Sequence, residues 1–368
     1  MTANPFVFGA DRDAAGVEHG DELAYGEGFA ESSIVESRLL AVSSASQKLY
    51  ERTGAQTWQE FDPQPPWSTD LGASAYPFAI GLSDGKIICA GSKSGGADYF
   101  HYDPTTTLWT TYAFPAGSPG RSGPIRAWAV SSTSVFVSYD GKIDHWDGSA
   151  WSYWGAAPGN GGGGSPGAGL WGSSDSDLWF VSGANLGPQA AQWTGASWTD
   201  HYTAIYALGG IGIPRAVWGQ SGKVYVVGEG SGGGGICWLA TLSGGVWTKT
   251  AGPNWFFPDN IWGDGTRLWV FANTRVYELT SGAWVLSKDF ANGNVEVRPG
   301  RGLYGASDGT LLALNKSFGA THLWESADSG ATWAQTTWID ANVLDTLGGY
   351  TLVLPYTDGG KLAEVFAS

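Results

Sequence analysis

The chain repeats itself, and that restricts its fold more than any other feature. At intervals of roughly 36 to 50 residues a tryptophan follows a short polar turn: Trp58, Trp109, Trp151, Trp198, Trp247, Trp284 and Trp333. Each is preceded by two stretches rich in strand-forming residues, so one supersecondary unit has been copied along the sequence. A period of this length marks propellers or arrays, in which each unit buries its apolar faces against its neighbours.

The segment LWGSSDSDLWFVSGANLGPQAAQWTGASWTD shows the unit most clearly. It reads as strands Leu170-Trp171, Leu178 to Val181, Ala191 to Trp193 and Trp198-Thr199, separated by turns at Asp175 and Gly195. That is a four-stranded antiparallel meander. The same frame fits the segments from Val217 and Ile261 and, more loosely, from Ala127. Inner strands are then expected near residues 34, 79, 127, 170, 217, 261, 296 and 344. We therefore expect an all-β protein, a β-propeller of eight four-stranded blades, with seven as the alternative. The last unit offers three strands, and Pro5 to Gly9 could supply its fourth, closing the ring by pairing the two ends of the chain and removing exposed sheet edges. The expected division is an arm over residues 1–31, holding that closure strand, and a propeller over 32–368.

Composition agrees with short strands and tight turns: 57 glycines and 21 tryptophans among 368 residues, with 14% charged residues against the usual ~25%. A formal net charge of -15 argues against a nucleic-acid partner, which needs a basic footprint. Cys89 and Cys237 fall in units on nearly opposite sides of a ring, too far apart to bridge, and read as small core residues. The N-terminal residues carry no cationic start and no apolar run, so no signal peptide is expected. No apolar stretch approaches the ~18 to 20 residues of a membrane-spanning helix, so membrane insertion is not expected.

Three motifs carry a resemblance to known families. The turn SADSGATW, from Ser326 to Trp333, resembles the Asp-box of sialidase-type propellers. YDPTTTLW, from Tyr102 to Trp109, resembles the kelch motif, and the pattern from Trp171 to Val181 is similar to a tryptophan-rich repeat of bacterial surface propellers. The resemblance implies architecture. In the Asp-box turn, Asp328 accepts backbone N–H groups, Gly330 supplies a left-handed conformation and Trp333 wedges between sheets.

In a meander the connections alternate ends, so turns 1–2 and 3–4 share one face and loops 2–3 and 4–1 the other. The former are short and the latter long, which concentrates elaboration on one face. A rigid scaffold presenting long loops is a common place for binding. The loop residues Phe114, Trp154, His201, Tyr202, Tyr206, Trp255, Phe256 and Phe257 are accordingly the candidate ligand-binding set. Their plainer reading is that they cover the rims of neighbouring blades.

Catalytic signatures fail on context. Gly163 to Gly167 matches a nucleophile elbow around Ser165, but in a glycine loop rather than a strand-to-helix turn. Gly228 to Gly233 matches a dinucleotide fingerprint, but the following ICWLATL reads as a strand, leaving no helix N-terminus for a phosphate. A sialidase-like site would draw on arginines such as Arg121, Arg126, Arg215, Arg298 and Arg301. A two-carboxylate glycosidase would draw on Asp200, Glu229 or Asp259. The five histidines, His19, His101, His145, His201 and His322, lack ligand spacing. The acid pairs Asp11/Asp13 and Asp175/Asp177 do not continue into a calcium loop. No catalytic residue, metal or cofactor is therefore expected.

From Asp11 to Glu31 seven acids face one base, Arg12, an arm suited to docking on a basic neighbour. The combined expectation is a non-enzymatic binding or structural propeller that recognises a glycan or protein on a cell surface. It would serve as a fibre, spike or decoration protein of a phage or phage-like particle, with other particle proteins contacted through residues 1–31. The alternatives are a secreted or surface glycan-processing enzyme and a purely structural assembly component. The expected location is a virion or extracellular particle, with the cytoplasm as the alternative.

Overall fold

The computed structural model describes residues between 40 and 364, leaving out 44–47, 55–56, 67–77, 83, 91–97, 117–124, 140–141, 157–166, 183–188, 211, 231–236, 253–257, 273–274, 291–296, 306–308, 318–319, 336–349 and 354–361. The chain separates into two compact units, Met1–Ile34 and Val35–Ser368. Every described strand belongs to the second. Pro5 to Gly9 and the acidic arm lie outside the described residues.

Five sheets are isolated four-stranded meanders. The first comprises β4 (Phe78–Gly81), β5 (Ile87–Ala90), β6 (Asp98–Asp103) and β7 (Leu108–Ala113). The second comprises β12 (Gly167–Ser174), β13 (Asp177–Ser182), β14 (Gln189–Trp193) and β15 (Trp198–Asp200). The third comprises β16 (Pro214–Gln220), β17 (Lys223–Glu229), β18 (Cys237–Ser243) and β19 (Val246–Ala251). The fourth comprises β20 (Pro258–Gly263), β21 (Leu268–Ala272), β22 (Arg275–Thr280) and β23 (Ala283–Asp289), and the fifth β24 (Val297–Gly305), β25 (Leu311–Ser317), β26 (Ala320–Ser326) and β27 (Ala334–Gln335). All pairings are antiparallel. From Cys237 on, the segment ICWLATL is a strand, β18.

The sixth sheet has nine strands. It contains the meander β8 (Ile125–Ser131), β9 (Ser134–Tyr139), β10 (Lys142–Trp146) and β11 (Trp151–Ala156), together with β1 (Leu40–Ser43), β2 (Lys48–Gly54) and β3 (Thr57–Glu60). The late strands β28 (Tyr350–Val353) and β29 (Leu362–Glu364) join them: β28 pairs with β1, and β29 pairs with β28 and β8. The fold is thus an all-β propeller of four-stranded antiparallel blades, but the described strands make six sheets, where eight blades, or seven, were expected. The reason is topological. The units expected at 34, 127 and 344 share one sheet, and the last contributes two described strands rather than three.

Burial explains the sequence pattern within a blade. The second strands β13 and β21 are covered on both faces by adjacent sheets and read as unbroken apolar runs, LWFV and LWVFA. The outer strands β7 and β19 are exposed at alternate and adjacent positions. Six of the seven repeat tryptophans hold one register. Trp58 stands opposite Arg52, Trp109 opposite Tyr102, Trp151 opposite Trp146, Trp198 opposite Trp193, Trp247 opposite Leu242 and Trp284 opposite Leu279.

Several of these indoles also bond the preceding blade. Trp109 Nε1 donates to Pro63 O at 2.8 Å, Trp151 Nε1 to His101 Nε2 at 2.9 Å and Trp333 Nε1 to Ser287 Oγ at 3.2 Å. Arg52 donates from Nη2 to Glu325 Oε1, an ion pair joining β2 to β26, with the two side chains 18% and 3% exposed.

The turns have local causes. Ser221-Gly222, Gly244-Gly245 and Ser281-Gly282 have positive φ at both residues, 52°/69°, 56°/80° and 52°/79°. That is the signature of two-residue type I′ hairpins, whose twist matches the flanking strands. Elsewhere an aspartate closes the turn: Asp264 Oδ1 accepts Thr266 N at 2.9 Å and Arg267 N at 2.7 Å, and Asp147 Oδ1 accepts Ser149 N and Ala150 N at 2.8 Å each.

Candidate functional site at the loop face

Turns 1–2 and 3–4 lie side by side. A Cβ built on Gly148 would meet the Thr133 side chain at 2.8 Å, and one on Gly195 would meet Ser176 at 2.9 Å. Antiparallel alternation then sends loops 2–3 and 4–1 to the opposite face. The best-described loop there follows β15, and it contains a helix that the strand pattern did not announce, α1 (Tyr202–Tyr206). YTAIY has no polar punctuation of its own; the start signal is Asp200, whose Oδ1 accepts Tyr202 N at 2.9 Å and whose Oδ2 accepts Thr203 Oγ1 at 2.8 Å. Gly209 and Gly210, at φ 78° and 64°, follow the helix.

Ile205 is fully buried and pins α1 to the blades beneath it. Beside it, Tyr202 and Tyr206 have ring centroids 5.8 Å apart, and Tyr206 is 57% exposed. Tyr202 is half-buried, its hydroxyl directed at Gly212 O at 3.4 Å, and burial holds its pKa above the ordinary tyrosine value. Lys249 Nζ donates to Gly209 O, fastening the loop to the next blade.

His201 is a structural post. Its ring lies against Trp179 at 4.6 Å, its Nδ1 accepts Trp247 Nε1–H at 3.3 Å, and its Nε2 is 3.1 Å from Gln192 Oε1. Those partners require a neutral ring with the proton on Nε2, and burial lowers its pKa, opposed by Asp200. Gln192 Nε2 donates onward to Asp177 Oδ1 at 2.8 Å, which also receives Trp179 Nε1 at 2.9 Å. A polar row therefore runs between two blades from the loop face to the turn face.

The other candidates divide. Trp154 is half-buried in β11 and packs against Phe136, His145 and Trp193 at 4.9, 4.9 and 5.0 Å. Phe114 sits edge-on to Tyr99 at 4.7 Å, and Tyr99 stacks on Trp151 at 3.6 Å. Trp255, Phe256 and Phe257 lie outside the described residues. Of the five described members, His201, Tyr202 and Tyr206 come together on one segment, while Phe114 and Trp154 belong to other blades.

The carboxylates singled out for catalysis have other partners. Asp200 accepts Tyr202 N and Thr203 Oγ1 at the start of α1, and Glu229 pairs with Arg215. The side chains of Asp259, Arg126, Arg298 and Arg301 lie outside the described residues, as do Arg121 and Ser165. Among the described residues no three His, Cys, Asp or Glu side chains stand close enough to hold a metal ion. Asp175 accepts from Ser134 Oγ. Cys89 and Cys237 are free and buried.

Sequence reasoning passed over the inner-strand tryptophans. Trp128, Trp171, Trp218 and Trp262 are buried, with neighbouring centroids about 6 Å apart: 6.1 Å for Trp128–Trp171, 5.9 Å for Trp128–Trp218 and 6.1 Å for Trp218–Trp262. The signal for them was the Trp-Gly pair at 171–172, 218–219 and 262–263. A Cβ on Gly219 would stand 2.1 Å from Trp171 Cη2, and one on Gly305 would stand 2.2 Å from Trp262 Cη2. The glycine makes room for the indole of the preceding blade.

The class these features define is the β-propeller. No protein-family model matches the sequence, and a search of curated proteins found no relative. Among solved structures, the chain is similar to YCF48 from Cyanidioschyzon merolae, at 12% identity and TM-score 0.52 over 80% of this chain and 94% of that one. It is also similar to the extracellular domain of a one component system from B. thetaiotaomicron, at 15% identity and TM-score 0.52, over 80% of this chain and 39% of that one. A prolyl endopeptidase structure aligns at 13% identity and TM-score 0.50, over 78% and 46%. These likenesses establish the fold. Among the described residues no helix is long and apolar enough to cross a membrane.

Proposed function

We propose that the protein is a non-enzymatic binding platform whose long-loop face recognises a glycan or protein on a cell surface. The observation that carries this reading is the Tyr202–Tyr206 shelf: two tyrosines on a short helix held by Asp200, Ile205 and Lys249, with Tyr206 open to solvent. A rigid aromatic surface stacks on a sugar ring or a peptide with little loss of side-chain entropy. Trp255, Phe256 and Phe257, in the connection between β19 and β20, remain members of the proposed binding set. Phe114 and Trp154 are better read as rim packing, and His201 as the support of the shelf.

The bonds of Asp200 to Tyr202 and Thr203 and the ion pair of Glu229 with Arg215 count against the glycosidase alternative. Asp328, which accepts Thr332 N at 2.8 Å and Thr332 Oγ1 at 2.6 Å, supports reading the 326–333 turn as an Asp-box. We assign the protein to the accessory equipment of a phage or phage-like particle, as a fibre, spike or decoration, with residues 1–31 docking on a particle neighbour. Seven- or eight-bladed closure stays part of this reading.

A glycan array probed with the full chain tests the binding face. Hits should disappear when Trp255, Phe257 and Tyr206 are replaced by alanine. A silent array together with turnover of fluorogenic glycosides would replace this reading with the enzymatic one. Deleting residues 1–31 should abolish incorporation into a particle while the propeller stays folded.

A further inference from the structure

The turn face, opposite the loops, holds a cleft of about 380 Å³ where β8, β12 and β16 end. Its size falls in the range of small-molecule sites, roughly 300 to 1,000 Å³. Val130 and Trp171 give it an apolar side, and Ser173, Asp177, Gln220 and Lys223 give it a polar one. The Trp171 ring is fixed by its contact with Gly219, where even a methyl group would collide. The walls are therefore preformed.

The polar groups differ in how far they are satisfied. Gln220 is held by three bonds: its Oε1 accepts Trp218 Nε1 at 3.2 Å and Gly265 N at 3.1 Å, and its Nε2 donates to Arg267 O at 3.1 Å. Asp177 Oδ1 accepts from Trp179 and Gln192, whereas Oδ2 accepts only the Ser173 hydroxyl and keeps a lone pair. Lys223 is exposed and makes no ion pair among the described residues. The Trp171 indole N–H is buried without an acceptor, although the residue is only 7% exposed. That N–H is closed off from the cleft, so two lining groups remain for a ligand: a hydroxyl can donate to Asp177 Oδ2 and an anion can pair with Lys223.

We propose that this cleft binds a carboxylate-bearing monosaccharide unit. A pyranose presents a C–H face to Trp171 and Val130 and a hydroxyl that donates to Asp177. The carboxylate pairs with Lys223, the cationic group of the cleft, which makes no ion pair among the described residues. Asp177 is held in place by the row Trp247–His201–Gln192, so the acceptor is oriented before any ligand arrives. The site is separate from the loop-face shelf and does not rest on it.

Saturation-transfer NMR on the full chain with glucuronate and galacturonate, set against glucose and galactose, tests the proposal. Transfer to a uronate is expected, with the neutral sugars about tenfold weaker or silent. Lys223→Ala should weaken the uronate signal by about tenfold or more, and Ser173→Tyr, which fills the cleft, should abolish it. Tyr206→Ala should leave it unchanged. Both cleft positions are exposed, and thermal melting of each variant verifies the fold; should Ser173→Tyr unfold, Lys223→Ala decides alone. No transfer to any sugar, an equal response to neutral sugars, or a signal that survives Lys223→Ala overturns it. Loss of the signal in Tyr206→Ala would move the site to the loop face.

Discussion

The two ends of the blades are built on different principles. At the turn end each connection is closed by chemistry within a few residues: a positive-φ pair such as Ser281-Gly282, or an aspartate such as Asp147 or Asp264 bonding the backbone two and three positions on. At the loop end order comes from distant partners. Helix α1 keeps its place because Ile205 is buried, Lys249 reaches Gly209 from the neighbouring blade, and His201 bridges Trp247 and Gln192. Local closure fixes a repeat; distant closure lets each loop differ from the next without disturbing the sheet below.

The sharpest way to break this contrast is to remove a residue that both ends share. Trp179 supports His201 on the loop side and bonds Asp177 on the turn side. Trp179→Ala should cost about 3 to 5 kcal/mol, measured as the shift in denaturant midpoint, and should loosen both ends together. A variant that loosened only one would refute the idea of a row between them.

Acid comes next. His101 is held at a pKa of about 3, first by burial and then by Lys86, against an ordinary 6.5. Because the folded value lies below the unfolded one, the unfolded chain binds the extra proton. Stability is then complete above 6.5 and drains away as pH falls toward 3, by up to about 4 kcal/mol at the limit. His101→Gln, which retains an acceptor for Trp151, should flatten that limb of a plot of Tm against pH. An unchanged slope would assign acid sensitivity to the carboxylates instead.

Gly219→Ala should cost about 1 to 3 kcal/mol, since the new methyl group must displace the Trp171 ring. Chemical denaturation reads this directly, and a neutral result would mean that the indole moves freely. Asp328→Ala removes the bonds to Thr332 and should lower Tm by less, since the group is solvent-exposed; burial offsets little of the bonding that holds its pKa near 2. Smallest in stability is Tyr206→Ala, within about 0.5 kcal/mol of the parent, although it should weaken any ligand of the loop face. Equal damage to stability would make Tyr206 a rim residue.

The contrast also accounts for what could be read from the sequence. Type I′ turns, aspartate turns and the tryptophan after them are local signals, so six of the repeat tryptophans fall in one register as the spacing implied. Blade number is not local. Nothing in YTLV or LAE says that β28 will pair with β1 or that β29 will lie against β8, and the count of eight failed at those strands. Helix α1 went unseen because five residues of mixed polarity carry no period, although Asp200 two residues ahead of Tyr202 was a usable start signal. His201 and Trp154 looked like ligand contacts because they sit in or near long loops; their packing depends on Trp179, Gln192, Phe136 and Trp193, which only the tertiary structure brings near. The Trp-Gly pairs that wall the turn-face cleft were in plain view, but their purpose depends on the neighbouring blade.

The pairing of Leu40–Ser43 with Tyr350–Val353 has a consequence for biosynthesis. The earliest described strand emerges with one edge bare, and the partner that covers it, Tyr350–Val353, is made only after the strands of the other five sheets. Until then that edge is free to pair with another nascent chain, and contacts so remote in sequence form slowly. The protein's most vulnerable interval is therefore the one just before Tyr350–Val353 is made, when most of the sheets can already have formed and the first strand still lacks its neighbour.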